Sequence, residues 1–344
     1  MTQFIIHVGP HKTGTSYLQE CFVAARLKLA ERGIHYPAIW GRKAHYGLFD
    51  GLAQVPNPSL EADFAGLHAA AHARVLISVE GLVALQESTV EYLHRLIGPE
   101  HSVSVVFYVR SWADLLPSHW KEIVKGGDVM TMPEYLYTRL HNPNGSAFVN
   151  FAMGLRPWVK LFGREAIRLI AYDEVVASRQ DLFAHFAEKI LDWPSPPELG
   201  VPRANVSPSP ADIEAVRTLA VLERMRLGRE LPKPYAQALY DRYMQRRSTL
   251  VSRRTRRAME EHADALTINE SLAAMMDLHR KLFDEFGHAL VSPHRNKLFF
   301  DARRVQVPYV RADWLMAPGV FDEVRVLQET LRIEVGPPER YCAA

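Results

Sequence analysis

The sequence predicts an α/β fold: a central parallel sheet flanked by helices over residues 1–200, and a mainly helical part over 201–344. Three observations point there. A short β-rich run at 4–8 is followed by three continuous apolar runs, at 74–80, 102–110 and 166–174, that each end in polar residues. Strands covered on both faces by helices read this way, whereas half-exposed strands alternate. Helical spacing fills the gaps between the runs. Beyond the segment "DWPSPPELGVPRANVSPSPAD" (192–212), with its six prolines, the apolar spacing is helical throughout 212–227 and 267–286.

Taken in order, the run "FIIHV" gives the first strand. Leu18, Phe22, Ala25 and Leu29 follow at spacings of 4, 3 and 4, one face of a single helix over 14–32. Gly33 is placed to end that helix at C′. "RVLISVE", "SVSVVFYVR" and "AIRLIAYDE" are the next three strands. In open sheets of this kind, ligands sit beyond the carboxyl ends of the strands. The residues that close each run therefore matter most: the 9–16 loop, Glu80, Arg110, Asp173 and Glu174. The proline-rich segment is a linker or irregular surface stretch, and Ser209 is a good N-cap for the helix after it. "LFFDARRVQVPYV" (298–310) fits neither period and receives no assignment.

Totals narrow the function classes. The 344 residues are 48% hydrophobic with a net charge of +2. That is ample for a large core and gives no overall field for nucleic acid or membrane. Two cysteines, Cys21 and Cys342, make no zinc framework and no expected disulfide. No apolar stretch reaches membrane-span length and no basic n-region precedes "FIIHVG". A cytoplasmic protein without a membrane span is expected. The oligomeric state is not legible.

The stretch "HVGPHKTGTSYLQ" (7–19) has the layout of a phosphate-gripping loop. Gly9 and Gly14 let backbone approach an anion closely. Free amides and the positive dipole end open the following helix. Thr13, Thr15 and Ser16 add hydroxyls, and Lys12 adds a mobile charge. Lys12 precedes Gly14 by two residues, so the loop is not G-x-x-x-x-G-K-[ST], and no aspartate is suitably placed for a magnesium site. A polar strand-to-helix turn is the plain alternative.

The order K-T-G-T-S-Y resembles the 5′-phosphosulfate loop of sulfotransferases. "GPHKTGTSYLQ" looks like the bacterial variant, with His11 where cytosolic members have proline and Tyr17 where they have tryptophan. A second motif resembles the family's 3′-phosphate site: in "YVRSWADLLPS", Arg110 closes a strand and Ser118 follows eight residues on. Guanidinium plus hydroxyl suits a phosphate dianion. The resemblance covers about residues 1–190. It implies a P-loop-like nucleotide-binding α/β core at 1–200; the helical extension 201–344 is expected, apart from the resemblance, to pack on that core and contribute to the acceptor site. The resemblance also implies transfer of a sulfuryl group from 3′-phosphoadenosine 5′-phosphosulfate to a hydroxyl or amine, with no metal. Gly9, His11, Lys12, Thr13, Gly14, Thr15, Ser16, Arg110 and Ser118 would bind the nucleotide, and Lys12 would meet charge on the leaving oxygen.

A general base is expected beside the sulfur, and two residues compete. Glu80 stands where cytosolic members carry a histidine. That is a departure, though some glycan sulfotransferases use glutamate. Its plain reading is a carboxylate on a helix N-terminus. His45, in "YPAIWGRKAHYGLF", matches a histidine found after a "YP" pair in bacterial relatives; its plain reading is structural. His7 alternates into the strand interior and reads as packing. His11 flanks the loop, within reach of sulfuryl oxygens. Trp112 or Trp120 would stack on adenine or, more commonly for helical tryptophans, fill core. Arg203, Asn205 and Ser207 would close over the nucleotide or cap the next helix.

Residues 224–257 hold eleven lysines and arginines against two acids, Glu230 and Asp241. This stretch would either grip an anionic acceptor or form a solvated helical face. From the bacterial-type loop together with this stretch, the acceptor is expected to be a carbohydrate, an anionic glycan or small metabolite among the options. A P-loop nucleotide kinase, and a non-catalytic module binding nucleotide or anionic glycan, are the other classes.

Overall fold

The computed structural model describes residues 1–41, 43–202, 207–291 and 303–341. Strand β1 (Gln3–His7) is buried at four of its five positions. The single helix expected over 14–32 is two, α1 (Thr15–Ala24) and α2 (Arg26–Glu31), because Ala25 leaves helical geometry at φ −89°, ψ 2°. Leu18, Phe22, Ala25 and Leu29 nevertheless share one fully buried face, so their spacing reads as continuous. Gly33 closes α2 at φ +71° as expected. The two-residue strand β2 (Ile34–His35) is too short to register as an apolar run.

Next come α3 (Tyr46–Leu52) and α4 (Pro58–Ala69). The latter is capped by Asn57 Oδ1 accepting the Leu60 amide at 3.1 Å, with proline at its first position. They precede β3 (Arg74–Ser78), α5 (Glu87–Ile97) and β4 (Ser102–Val109). Then follow α6 (Trp112–Lys125), α7 (Met132–His141), α8 (Phe151–Phe162) and β5 (Ile167–Ala171). After β5 lie α9 (Tyr172–Ala177) and α10 (Leu182–Ile190).

The four expected strands pair in parallel with β2 in the order β2-β3-β1-β4-β5. In register, Ile5 lies opposite Leu76 on one side and Ser104 on the other. β1 is central, with β3 and β4 flanking it, so three carboxyl ends adjoin. Helices close both faces, as continuous apolar strands require.

Past residue 200 the chain is mainly helical: α11 (Pro210–Leu227), α12 (Lys233–Leu250), α13 (Arg253–Glu261), α14 (Ala273–Phe286) and α15 (Val320–Val335). Ser209 caps α11 through its hydroxyl, which accepts the Asp212 amide at 3.1 Å. The helical spacing at 267–286 overran its true start: residues through Asn269 belong to β6 (Ala263–Asn269), which pairs antiparallel with β7 (Arg304–Val310).

By its internal contacts the chain divides into two compact units. The first takes Met1–Trp112 with the described residues of 142–205 and 271–302; the second takes Ala113–His141 and the described residues of 206–270 and 303–344. Trp193, within the proline-rich stretch, is buried in the first unit's core beside Phe183, so the first part of that stretch packs on this core. In the second unit the basic stretch is matched by carboxylates distant in sequence. Arg242 and Arg246 meet Glu334 at 3.1 and 3.4 Å, Arg247 meets Asp212 at 3.4 Å, and Arg254 meets Glu323 at 3.6 Å.

Four histidines of the first unit, His7, His45, His185 and His279, are buried, and burial holds each down to about 4. The unfolded chain takes up these protons near pH 6.5, while the folded chain resists until about pH 4. Stability is therefore full above about pH 6.5 and withdrawn as pH falls toward 4. Each tenfold difference in proton affinity is worth about 1.4 kcal/mol. Urea unfolding at pH 7.5, 6 and 5 should show a loss of several kcal/mol; a flat profile contradicts this.

Candidate functional site

The site is built on the last hydrogen bonds of β1. Val79 donates its amide to His7 O at 3.0 Å, and Val8 donates to Val106 O at 3.1 Å. Further on, Tyr108 donates to Gly9 O at 3.3 Å. The chain then turns through Gly9 (φ +99°), Lys12 (φ +67°) and Gly14 (φ +78°) into α1. Gly9 also sits where a side chain would be crowded: a Cβ there would stand 3.3 Å from the Gly81 amide nitrogen. Lys12 is the notable member, because left-handed backbone costs a lysine free energy and such residues cluster at functional sites.

Side chains brace the loop. Thr13 is buried and donates its hydroxyl to Pro10 O at 2.8 Å, so this hydroxyl holds the loop. Thr15 opens α1, buried, with Oγ1 lacking a partner. Ser16 is exposed on the first turn. Gly14 is the N-cap, with Tyr172 and Leu182 against it.

Arg110, immediately after β4, reaches this loop: Nη1 donates to the backbone carbonyl of Lys12. Its guanidinium lies over the Tyr172 ring, 5.0 Å from the centroid, and its buried Nε has no partner. Asp173, singled out as a strand-closing residue, accepts the Ser111 amide at 2.6 Å and so fixes the backbone next to Arg110. Ser118 lies on α6 in the second unit.

Glu80 follows β3 and meets the loop from the other side. Its Oε2 is 3.0 Å from His11 Nδ1 and 3.4 Å from the Tyr46 hydroxyl. It caps no α-helix: a 3₁₀ turn at Leu82–Ala84 follows, and α5 starts only at Glu87. Burial pushes its carboxyl up, but the His11 hydrogen bond and the charges of His11 and Lys12 outweigh this and leave it lowered. The group is thus an ionised carboxylate at neutral pH.

The rival, His45, is fully buried. Its Nε2–H donates to Pro37 O at 2.8 Å, and its Nδ1 accepts the Ser78 amide at 3.0 Å. Both ring nitrogens are committed, and burial holds the ring neutral down to about pH 4. A ring so held ties residue 37 to the end of β3 and has no lone pair for an acceptor's proton. His7 packs, as read, with Nδ1 2.9 Å from Ser78 Oγ and its ring edge-on to Tyr108.

The structure thus brings the loop, Arg110 and Glu80 to one edge. His11 is the member whose pairing the sequence did not disclose; a histidine in the loop was the only signal. Trp112 and Trp120 are both buried, their indole N–H groups donating to Val149 O and Met130 O, and are core. Arg203 and Asn205 lie outside the described residues, as does Cys342, while Cys21 is a buried free thiol. Ser207 Oγ accepts from Lys121 at 3.1 Å. Among the described residues no group of three His, Cys, Asp or Glu side chains could hold a metal ion, and no helix is long and apolar enough to cross a membrane.

No protein-family model and no curated protein matches the chain. Among solved structures it is similar to a sulfotransferase from Alicyclobacillus acidocaldarius, at 15% identity and a TM-score of 0.38, over 67% of this chain and 97% of that one. So distant a likeness carries no part of the assignment, which rests on the site's own residues.

The left-handed backbone at Lys12 has a direct consequence. At ordinary φ, alanine is more stabilising than glycine; at φ +67° the order reverses. Lys12→Gly should be more stable than Lys12→Ala by about 1 kcal/mol in chemical denaturation. Equal stability, or the alanine variant ahead, contradicts the loop geometry.

Proposed function

We propose that the chain is a sulfotransferase, moving the sulfuryl group of 3′-phosphoadenosine 5′-phosphosulfate onto a hydroxyl or amine. One observation supports this most: a lysine-bearing anion loop, an arginine and an ionised carboxylate converge at the carboxyl ends of β1, β4 and β3. Two buried atoms there, Thr15 Oγ1 and Arg110 Nε, lack partners. Buried polar atoms in native proteins are nearly always satisfied, and anionic oxygens would satisfy these.

The division of labour follows from chemistry. Transfer forms a sulfur–oxygen bond to the acceptor and breaks the one to the 5′-phosphate. Charge builds on the departing phosphate oxygen, where Lys12 and the amides of residues 13–16 act. Arg110 takes the 3′-phosphate. Glu80 accepts the acceptor's proton through Oε1, which has no hydrogen-bond partner among the described residues. We assign the base to Glu80 rather than His45 because both His45 nitrogens are occupied. A carbohydrate acceptor rests on the loop resemblance alone, since carboxylates match arginines of the basic stretch.

Adenosine 3′,5′-bisphosphate should raise the melting temperature without magnesium, and ATP should do little with or without it. The opposite pattern favours a kinase and sinks this reading. Arg110→Ala should weaken bisphosphate binding by about 1.5–3 kcal/mol, roughly 10- to 150-fold. The variant should bind nucleotides with and without the 3′-phosphate equally; a retained preference removes Arg110 from that role. Glu80→Gln should lower kcat at least about 100-fold with the bisphosphate Kd unchanged.

A further inference from the structure

We propose, on the sulfotransferase reading above, that His11 is a positioning residue for the base. Its Nδ1–H clamps Oε2 of Glu80, so that Oε1 is the oxygen presented to the acceptor. The geometry is specific. His11 Nδ1 and the Tyr46 hydroxyl both converge on Oε2, at 3.0 and 3.4 Å, and neither engages Oε1. A carboxylate on a rotatable side chain has two equivalent oxygens; two donors on one of them remove the equivalence and fix the plane of the group.

The pairing is built into the backbone. His11 and Glu80 are 69 residues apart and meet because the loop lies against the end of β3. Two glycines in the left-handed region flank that approach. Gly81 (φ +91°) is placed so that a Cβ on it would stand 3.6 Å from both His11 Nε2 and Phe49 Cε2. Gly9 gives the close approach from the loop side. The histidine side chain is 41% exposed and the glutamate 15%, so the pair sits at the surface edge of the site, where an acceptor can arrive.

The proton balance is simple. The acceptor O–H or N–H proton moves to Oε1 as the new bond to sulfur forms. His11 keeps its Nδ1 proton throughout and donates to Oε2 both before and after transfer. The charged and titratable groups facing Glu80 are His11, Tyr46, Lys12 and the buried His7, which is neutral above about pH 4. His11 holds the carboxyl lowered, so the base stays ionised to lower pH than it would unclamped.

The test compares His11→Ala with His11→Asn, whose amide nitrogen, like Nδ1, is bonded to Cγ. In the full-length chain the alanine variant should lower kcat about 10-fold and move its acid limb to higher pH. The asparagine variant should recover kcat to within about threefold and return the limb. The bisphosphate Kd should be unchanged in both. In parallel, the carboxyl carbon of Glu80, assigned with Glu80→Gln in 13C-labelled protein, should titrate at higher pH in His11→Ala than in the parent. An unmoved limb and an unmoved titration overturn the proposal, as does an asparagine variant no better than alanine. If the alanine variant fails to fold, His11→Gln replaces it as the arm lacking the Nδ1-equivalent donor. The titration needs no acceptor. A shifted titration without sulfate transfer to any acceptor leaves the clamp standing and removes the sulfotransferase reading.

Discussion

Everything at this site depends on β1 being hydrogen-bonded along both edges to its last residue and just beyond. Val79 reaches His7 on one side, and Val106 accepts Val8 on the other. Parallel strands end at the same edge of a sheet. A loop that leaves a central strand therefore emerges between whatever follows its two neighbours. Here those are Glu80 and Arg110, a negative and a positive group on opposite sides of one anion loop.

Beneath the loop, Ser78 serves as a joint. Its hydroxyl meets His7 Nδ1 and Gln19 Nε2 at 2.9 and 3.3 Å, and its amide is taken by His45. These buried polar contacts connect β1, α1, β3 and the segment entering α3. They explain why His45, attractive as a base in the sequence, is spent on architecture. Unmade, each bond would leave a buried polar atom exposed to apolar surroundings, costing roughly 1–3 kcal/mol. The joint favours a fixed relation between loop and strand ends, which a site working by electrostatic preorganisation requires.

Much of this was legible in the sequence, and the reasons are physical. Strands buried on both faces are apolar without interruption, so all four long ones stood out, and their closing residues with them. The loop was legible because glycines and hydroxyls after a strand have few other uses. What failed was set by distant partners. The His11–Glu80 pair joins residues 69 positions apart. The arginines of 224–257 looked unbalanced because several of their carboxylates, such as Glu323 and Glu334, lie far outside that window. β7 carries Pro308 and pairs with β6 some forty residues earlier, so neither periodicity nor propensity marked it. The break at Ala25 left the buried face intact, and a pattern of burial cannot register a break that preserves it.

A structure of the chain with adenosine 3′,5′-bisphosphate is the decisive measurement. The 5′-phosphate should lie on Lys12 and the amides of residues 13–16, the 3′-phosphate on Arg110, and Glu80 should face the 5′-phosphate. Bisphosphate bound away from the 9–16 loop, or seated there with the 3′-phosphate remote from Arg110, would contradict that assignment.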